Sequence, residues 1–295
     1  MDLLTITHFL NGLLMIAIPI ILGIYFTEKF HLGWKIWLIG ACIFILSQVF
    51  HIPFNIYVLN PLLAKIQTAV QGASEQLIVT GLLGLSAGVF EETARYAMYR
   101  WWVRDAHTWR NGILAGAGHG GIEAILLGVL VMLAYVNLMA YRNLDLSKLN
   151  LTLDQLTIAR LQIQNYWDAP WYATLLGAVE RVFTIPFHIA ASVIVLQVFT
   201  RRPGHQQLGW LGLAIFYHAL VDASIVYIAG QWGGYAAEAV LGVTALLDIF
   251  IIFALRKPEP EPVIVPPPHP PDEPPVFTAT PVEETSVNLE NTRYQ

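Results

Sequence analysis

Eleven ionisable side chains stand inside long apolar stretches, Glu180 and, more loosely, Asp248 among them, and spacing sorts most of them into helical pairs. Glu91 and Arg95 are four residues apart and Glu92 and Arg95 three, so one helix face carries both signs. His119 and Glu123 are four apart, as are His218 and Asp222. His188 follows Arg181 by seven residues, two turns along one face, with Pro186 between them loosening the backbone. A carboxylate with several neutral imidazoles is a ligand set for zinc that leaves a position open, and His119, His188 and His218 are its candidates. The same groups can polarise a water and protonate a leaving amine without any metal. Two adjacent glutamates beside one arginine suggest a division of labour, one carboxylate ion-paired and the other free to handle protons.

These groups need elements that hold them in a particular medium. The chain has 295 residues, of which 56% are apolar and 13% charged. A soluble domain carries about 25% charged residues, and so little polar surface could not cover a globule in water. The medium is lipid. Nine Trp and twelve Tyr suit the interfacial belts of a membrane protein. A net charge of −5 argues against nucleic acid as the main partner. The single cysteine, Cys42, excludes an intrachain disulfide and a cysteine metal cluster. The N-terminus lacks the basic region of a cleavable signal.

A spanning helix needs about 20 mostly apolar residues. Seven stretches qualify, at about 6–26, 36–59, 76–99, 111–141, 172–199, 208–229 and 235–255, and they predict an all-α, polytopic bundle spanning 1–257. The third, fourth and fifth are expected to score poorly on hydropathy because of their charges. Connections after odd-numbered spans hold nine basic residues, Lys29, Lys35, Arg100, Arg104, Arg110, Arg201, Arg202, Arg256 and Lys257, against Lys65, Arg142, Lys148 and Arg160 on the other side. That bias places the N-terminus outside the cell membrane and the C-terminus in the cytoplasm. In the outer connection, 142–171, Thr152-Leu153-Asp154-Gln155 reads as a helix start with a capping box. Leu149, Leu153, Leu156 and Ile163 would then face the bilayer or the bundle mouth. Residues 258–295 hold eleven of the seventeen prolines and seven acids against Arg293 alone, which predicts a disordered cytoplasmic tail whose short Pro runs offer a site for a partner.

An ionisable group at the centre of a spanning helix costs about 2.5 to more than 10 kcal/mol, so such groups carry function by default. Glu91 lies nine residues before Arg100, His119 nine after Arg110, His188 thirteen before Arg201, and His218 about ten into its helix. At 1.5 Å per residue, all four share a layer about 13–20 Å below the cytoplasmic surface. Glu123 and Asp222 read as partners that orient the imidazoles. Glu180 and Arg181 should pair with each other or with 142–171, and Asp248 reads as structural. His8, His31, His51, His107, His205 and His269 read as interfacial or loop residues. Gly116-Ala117-Gly118-His119-Gly120-Gly121 permits close approach of another backbone, or of an extended substrate.

Over residues 75–225 the chain resembles a clan of intramembrane proteases that includes CAAX prenyl endopeptidases, bacteriocin-processing proteases and the PrsW group, and within it the YhfC family. The features are Glu91-Glu92-x-x-Arg95, Gly118-His119-Gly120-Gly121-Ile122-Glu123, Glu180-Arg181 followed by His188, and His218-x-x-x-Asp222. The resemblance implies that Glu91 or Glu92 activates a water with Arg95 as its partner. His119 with Glu123, and His218 with Asp222, then take the places of the later motifs that assist or bind metal. Where CAAX enzymes have an aromatic residue four before the second-motif histidine, this chain has Ala115, and the last motif ends in Asp rather than Asn, which weakens the case for prenylated substrates. The implied activity is hydrolysis of a peptide bond in a membrane-embedded or membrane-anchored substrate, with zinc or by a metal-independent glutamate mechanism. The same residues also suit a proton- or ion-coupled transporter or a bis-His haem protein.

Overall fold

A computed structural model describes residues 2–201 and 207–257. The proposed tail at 258–295, with His269, and the loop positions Arg202 and His205 lie outside the described residues. Among the described residues every regular element is helical. Nine α-helices follow in order: α1 Leu3–Phe30, α2 Lys35–Phe54, α3 Asn60–Ala69, α4 Ala73–Ala97, α5 Trp109–Tyr141, α6 Leu153–Trp167, α7 Leu176–Thr200, α8 Gln207–Trp232 and α9 Gly234–Ala254. Seven helical stretches of 21 to 35 residues are long and apolar enough to cross a membrane, matching the seven expected.

The boundaries differ from expectation in one place. The second span does not stop near 59 but runs from Lys35 to Ala69, α2 passing into α3 through a π-helical turn at Asn55–Leu59. Pro53 removes a backbone donor just before that turn, and a wider turn is one way for a helix to continue past the gap. The hydropathy expectation was wrong for two spans. The fourth is as apolar as any span and the fifth lies mid-range, because their few charges are outnumbered by Ala, Leu, Val and Ile; the third is the least apolar.

Local chemistry sets the helix ends. Asp2 caps α1, its carboxylate accepting from the Thr5 amide at 2.8 Å and pairing with Arg142 at 2.7 Å, and these contacts hold its pKa below the usual carboxylate range. His31 ends α1 in the left-handed region, with the Leu32 amide reaching back to Thr27. The capping box of α6 forms as read, Thr152 and Gln155 each accepting from the other's amide. Leu149, before that helix, and Leu153 at its start are exposed, and Leu156 and Ile163 on it are half-buried.

α7 is the hub. Its span is 72% buried, against 17–39% for the other six, and it touches α1, α4, α5, α8 and α9. Around it α2 packs on α5 and α4, α4 packs along α8, and α1 and α9 lie outside, on α5 and α8 respectively. Close approach depends on missing side chains. A Cβ on Gly118 would come within 1.9 Å of the Trp37 carbonyl oxygen, and one on Gly88 within 2.7 Å of the Ile215 carbonyl oxygen. The glycine-rich segment of α5 is therefore filled by α2 and α7, which leaves no room there for the extended substrate considered above.

Candidate active site

The α4–α8 contact sets the first pair. Glu92 is fully buried, ion-paired to Arg95 one turn later, and accepts from His218 Nδ1 of α8 at 2.6 Å. The other nitrogen of His218, Nε2, faces Asp222 at 3.3 Å and Glu91 at 3.9 Å. Both nitrogens of that ring thus have carboxylates to donate to.

Glu91 is turned differently. Its Oε2 accepts from His119 Nε2 of α5 at 3.0 Å, its Oε1 accepts from Gln48 of α2 at 3.1 Å, and Arg95 Nη2 lies 3.7 Å away. His119 is 1% exposed, Phe44 packs edge-on against its ring at 5.1 Å, and its Nδ1 has no partner among the described residues. An aromatic ring does stand beside the second-motif histidine, then, supplied by α2 rather than by position 115.

A third chain of contacts crosses from α7. Arg95 Nη2 donates to His188 Nδ1 at 2.7 Å. Guanidinium has no acceptor, so Nδ1 carries the lone pair and the proton of a neutral His188 sits on Nε2. That nitrogen donates to Glu123 Oε2 at 2.7 Å, and Glu123 Oε1 accepts from Arg181 at 3.0 Å. Arg181 also pairs with Glu180. Glu123 therefore orients His188 rather than His119, its neighbour on the same helix. Arg181, expected to pair locally, is tied to the centre through it.

The residues singled out in the sequence all stand in this one network, with Asp248 outside it, accepting from Tyr217 at 2.6 Å. Two participants were missed. Gln48 touches Glu91, and His51, set aside as interfacial, is buried and bonded to Ser86 at 3.0 Å. Their i, i+3 spacing inside an apolar run was the available signal.

Above the network lies a cavity of about 580 Å³. Glu91, His188 and His218 line it at one end, with Glu123 and Asp222, while Glu92 does not. Its walls continue through Leu83 of α4, Leu126 of α5, Thr184 of α7 and Ile225 of α8, all displaced from the network toward the end opposite the basic loops. On the basic side Met98, Tyr99, Ile194 and Leu196 are at most 3% exposed and close the floor. Tyr99 there is bonded to Ser192 at 2.7 Å.

The donor set fits a divalent cation. Glu91, His119 and His188 each offer one ligand atom, all within 4.8 Å of one another, where the sequence pointed to His119, His188 and His218. Two nitrogens and one oxygen leave an open position on zinc. His188 would have to release Arg95 or Glu123 to become a ligand, since both of its nitrogens are engaged. A haem fits less well, because carboxylate oxygens already fill the space between the three imidazoles.

A helical bundle of seven membrane-spanning lengths, with a buried Glu–His–Arg network beside a cavity, defines the class: an integral membrane protein with ionisable groups at its centre. The chain belongs to the YhfC intramembrane metalloprotease family, whose model matches residues 14–245. It is 32% identical over 260 residues to the uncharacterized membrane protein YhfC of Bacillus subtilis (strain 168), covering 84% of this chain and 95% of that protein. No solved structure matches it.

Proposed function

We propose that this protein is an intramembrane endopeptidase in which Glu91 activates the attacking water. The observation that carries the reading is the unequal placement of the two adjacent glutamates. Glu92 is sealed between Arg95 and His218, whereas Glu91 lines the cavity beside His119. A water on the cavity side of Glu91 would surrender its proton to that carboxylate as it attacks the scissile carbonyl. His218 Nε2, held by Asp222 at the cavity wall, is placed to donate to the developing oxyanion and then to the leaving amine. Arg95 keeps His188 and Glu92 in register. In the metal-dependent alternative, Glu91 with His119 and His188 would hold a zinc ion, which would supply Lewis-acid polarisation of the water in place of Glu91 acting as a free base.

The basic loops favour an N-terminus outside and a C-terminus in the cytoplasm. In that orientation the cavity rises from the reactive layer toward the outer leaflet, and its apolar walls suit a membrane-anchored polypeptide. The test is cleavage of a panel of membrane-anchored peptides by purified protein in detergent, with metal analysis alongside. Wild type should cleave, and Glu91→Gln should lose at least about 100-fold in rate. Equal cleavage by the variant overturns the assignment. Activity seen only as solute movement across sealed vesicles would mark a transporter instead.

A further inference from the structure

A second cavity, of about 530 Å³, lies at the basic end between α1, α5, α7 and α9, apart from the reactive network. Its layout is amphipathic along the membrane normal. At the water edge stand Lys29 and His31 at the end of α1, Arg110 in the first turn of α5, and Arg256 just past α9. Deeper in, the lining is Ile113, Pro186, Ile189 and Ile249, with Ile249 seven residues, or about 10 Å, below Arg256. Among the described residues no carboxylate lines it. The cations are held in place: Lys29 donates to Tyr25 at 2.6 Å, and Arg256 stacks over Trp109 at 4.9 Å. Trp109 is itself fixed by donating to the Ile252 carbonyl at 2.7 Å.

We infer that this groove binds one anionic glycerophospholipid, its phosphate between Lys29 and Arg256 and an acyl chain against Ile113, Ile189 and Ile249. Charge complementarity selects the occupant. A zwitterionic headgroup would bring a cation among cations, and an uncharged apolar ligand would offer Lys29 and Arg256 no counter-charge, whereas basic pockets between spanning helices suit anionic lipid headgroups. The exposed outer wall, Phe253 at 59%, faces the surroundings from which such a lipid would enter. The site joins four helices, including the hub that carries His188, so its occupant would brace the bundle next to the reactive layer.

The experiment is native mass spectrometry of the full-length protein after delipidation and titration with phosphatidylglycerol or phosphatidylcholine of matched chains. One phosphatidylglycerol should be retained at least tenfold more strongly than phosphatidylcholine. Lys29→Ala with Arg256→Ala should erase that preference, while Lys65→Ala with Lys148→Ala, at the opposite end, should keep it. Equal retention of the two lipids, or loss of the preference in the opposite-end variant as well, overturns the site. So does a cross-link from a photoreactive residue at Ile249 to the chain's own residues 258–295 instead of to lipid. None of these readouts depends on proteolysis, so the inference stands or falls separately from the proposed activity.

Discussion

Glu91 and Glu92 are neighbours of the same type, yet their surroundings separate them completely. One shares a proton-accepting face with His119 and the cavity; the other is locked by Arg95 and His218. Glu92→Gln should therefore act as a structural lesion. It removes the carboxylate that Arg95 and His218 share, leaving Arg95 only Glu91 at 3.7 Å and His218 only Asp222 at 3.3 Å and Glu91 at 3.9 Å, a loss of up to about 3–5 kcal/mol that should appear as a lower Tm in detergent. Glu91→Gln, by contrast, should abolish cleavage with little change in Tm. Arg181→Ala loosens Glu123 and, through it, the orientation of His188. A loss of about 10–100-fold in activity or metal affinity is expected, recovered in part by Arg181→Lys, and metal titration of the two variants checks it. Asp2 offers a control far from the centre. Its pKa is lowered on folding, so the Asp2–Arg142 and Thr5 contacts are intact at neutral pH and are lost only as the pH falls below the ordinary carboxylate range. Asp2→Asn should flatten that acid-side loss of stability and leave cleavage at neutral pH unchanged.

Helix contacts decide whether these residues meet. α4 and α8 run close enough for Glu92 to reach His218 because Gly84 and Gly88 present no side chain to the backbone at Ala219 and Ile215. α5 likewise meets α2 at Gly118 and Gly40. Gly118→Ala and Gly88→Ala should each destabilise by about 1–3 kcal/mol through overpacking, measured as a fall in Tm, and activity should fall with it. The same substitution at Gly209, where a Cβ would meet no atom of another described segment within 4 Å, should be tolerated. The close-approach role of the α5 glycines was readable from their clustering. Which helix would fill each notch was not, because a missing Cβ carries no information about its neighbour.

Taken as a molecule, the bundle holds its reactive layer between a tight floor on the basic side and an internal space on the other. That arrangement predicts one-sided access. With Cys42 replaced by Ser, a cysteine at Asp222 should react with a small maleimide applied from the face opposite the basic loops, and one at Ser192 should not react from either. Glu75→Cys and Arg104→Cys, at opposite ends, check the orientation with a membrane-impermeant reagent: labelling of position 75 alone in intact cells supports an outward N-terminus, and labelling of position 104 alone reverses it.

The seven spans, the capping box of α6 and the helical pairing of Glu91 with Arg95 or His218 with Asp222 were all legible in the linear order of residues, because hydropathy over twenty residues and the 3.6-residue turn are local properties. The shared depth of Glu91, His119, His188 and His218 was legible too, since rise per residue is constant. Which carboxylate served which imidazole was not. Glu123 passes over His119, four residues away, for His188 on another helix; His119 takes Glu91; Arg181, expected to pair nearby, also reaches Glu123, and Gln48 joins from a span in which it drew no notice. Those choices depend on how each helix is rotated about its axis and how closely it crosses the next, and both are set by packing between segments that can lie more than a hundred residues apart.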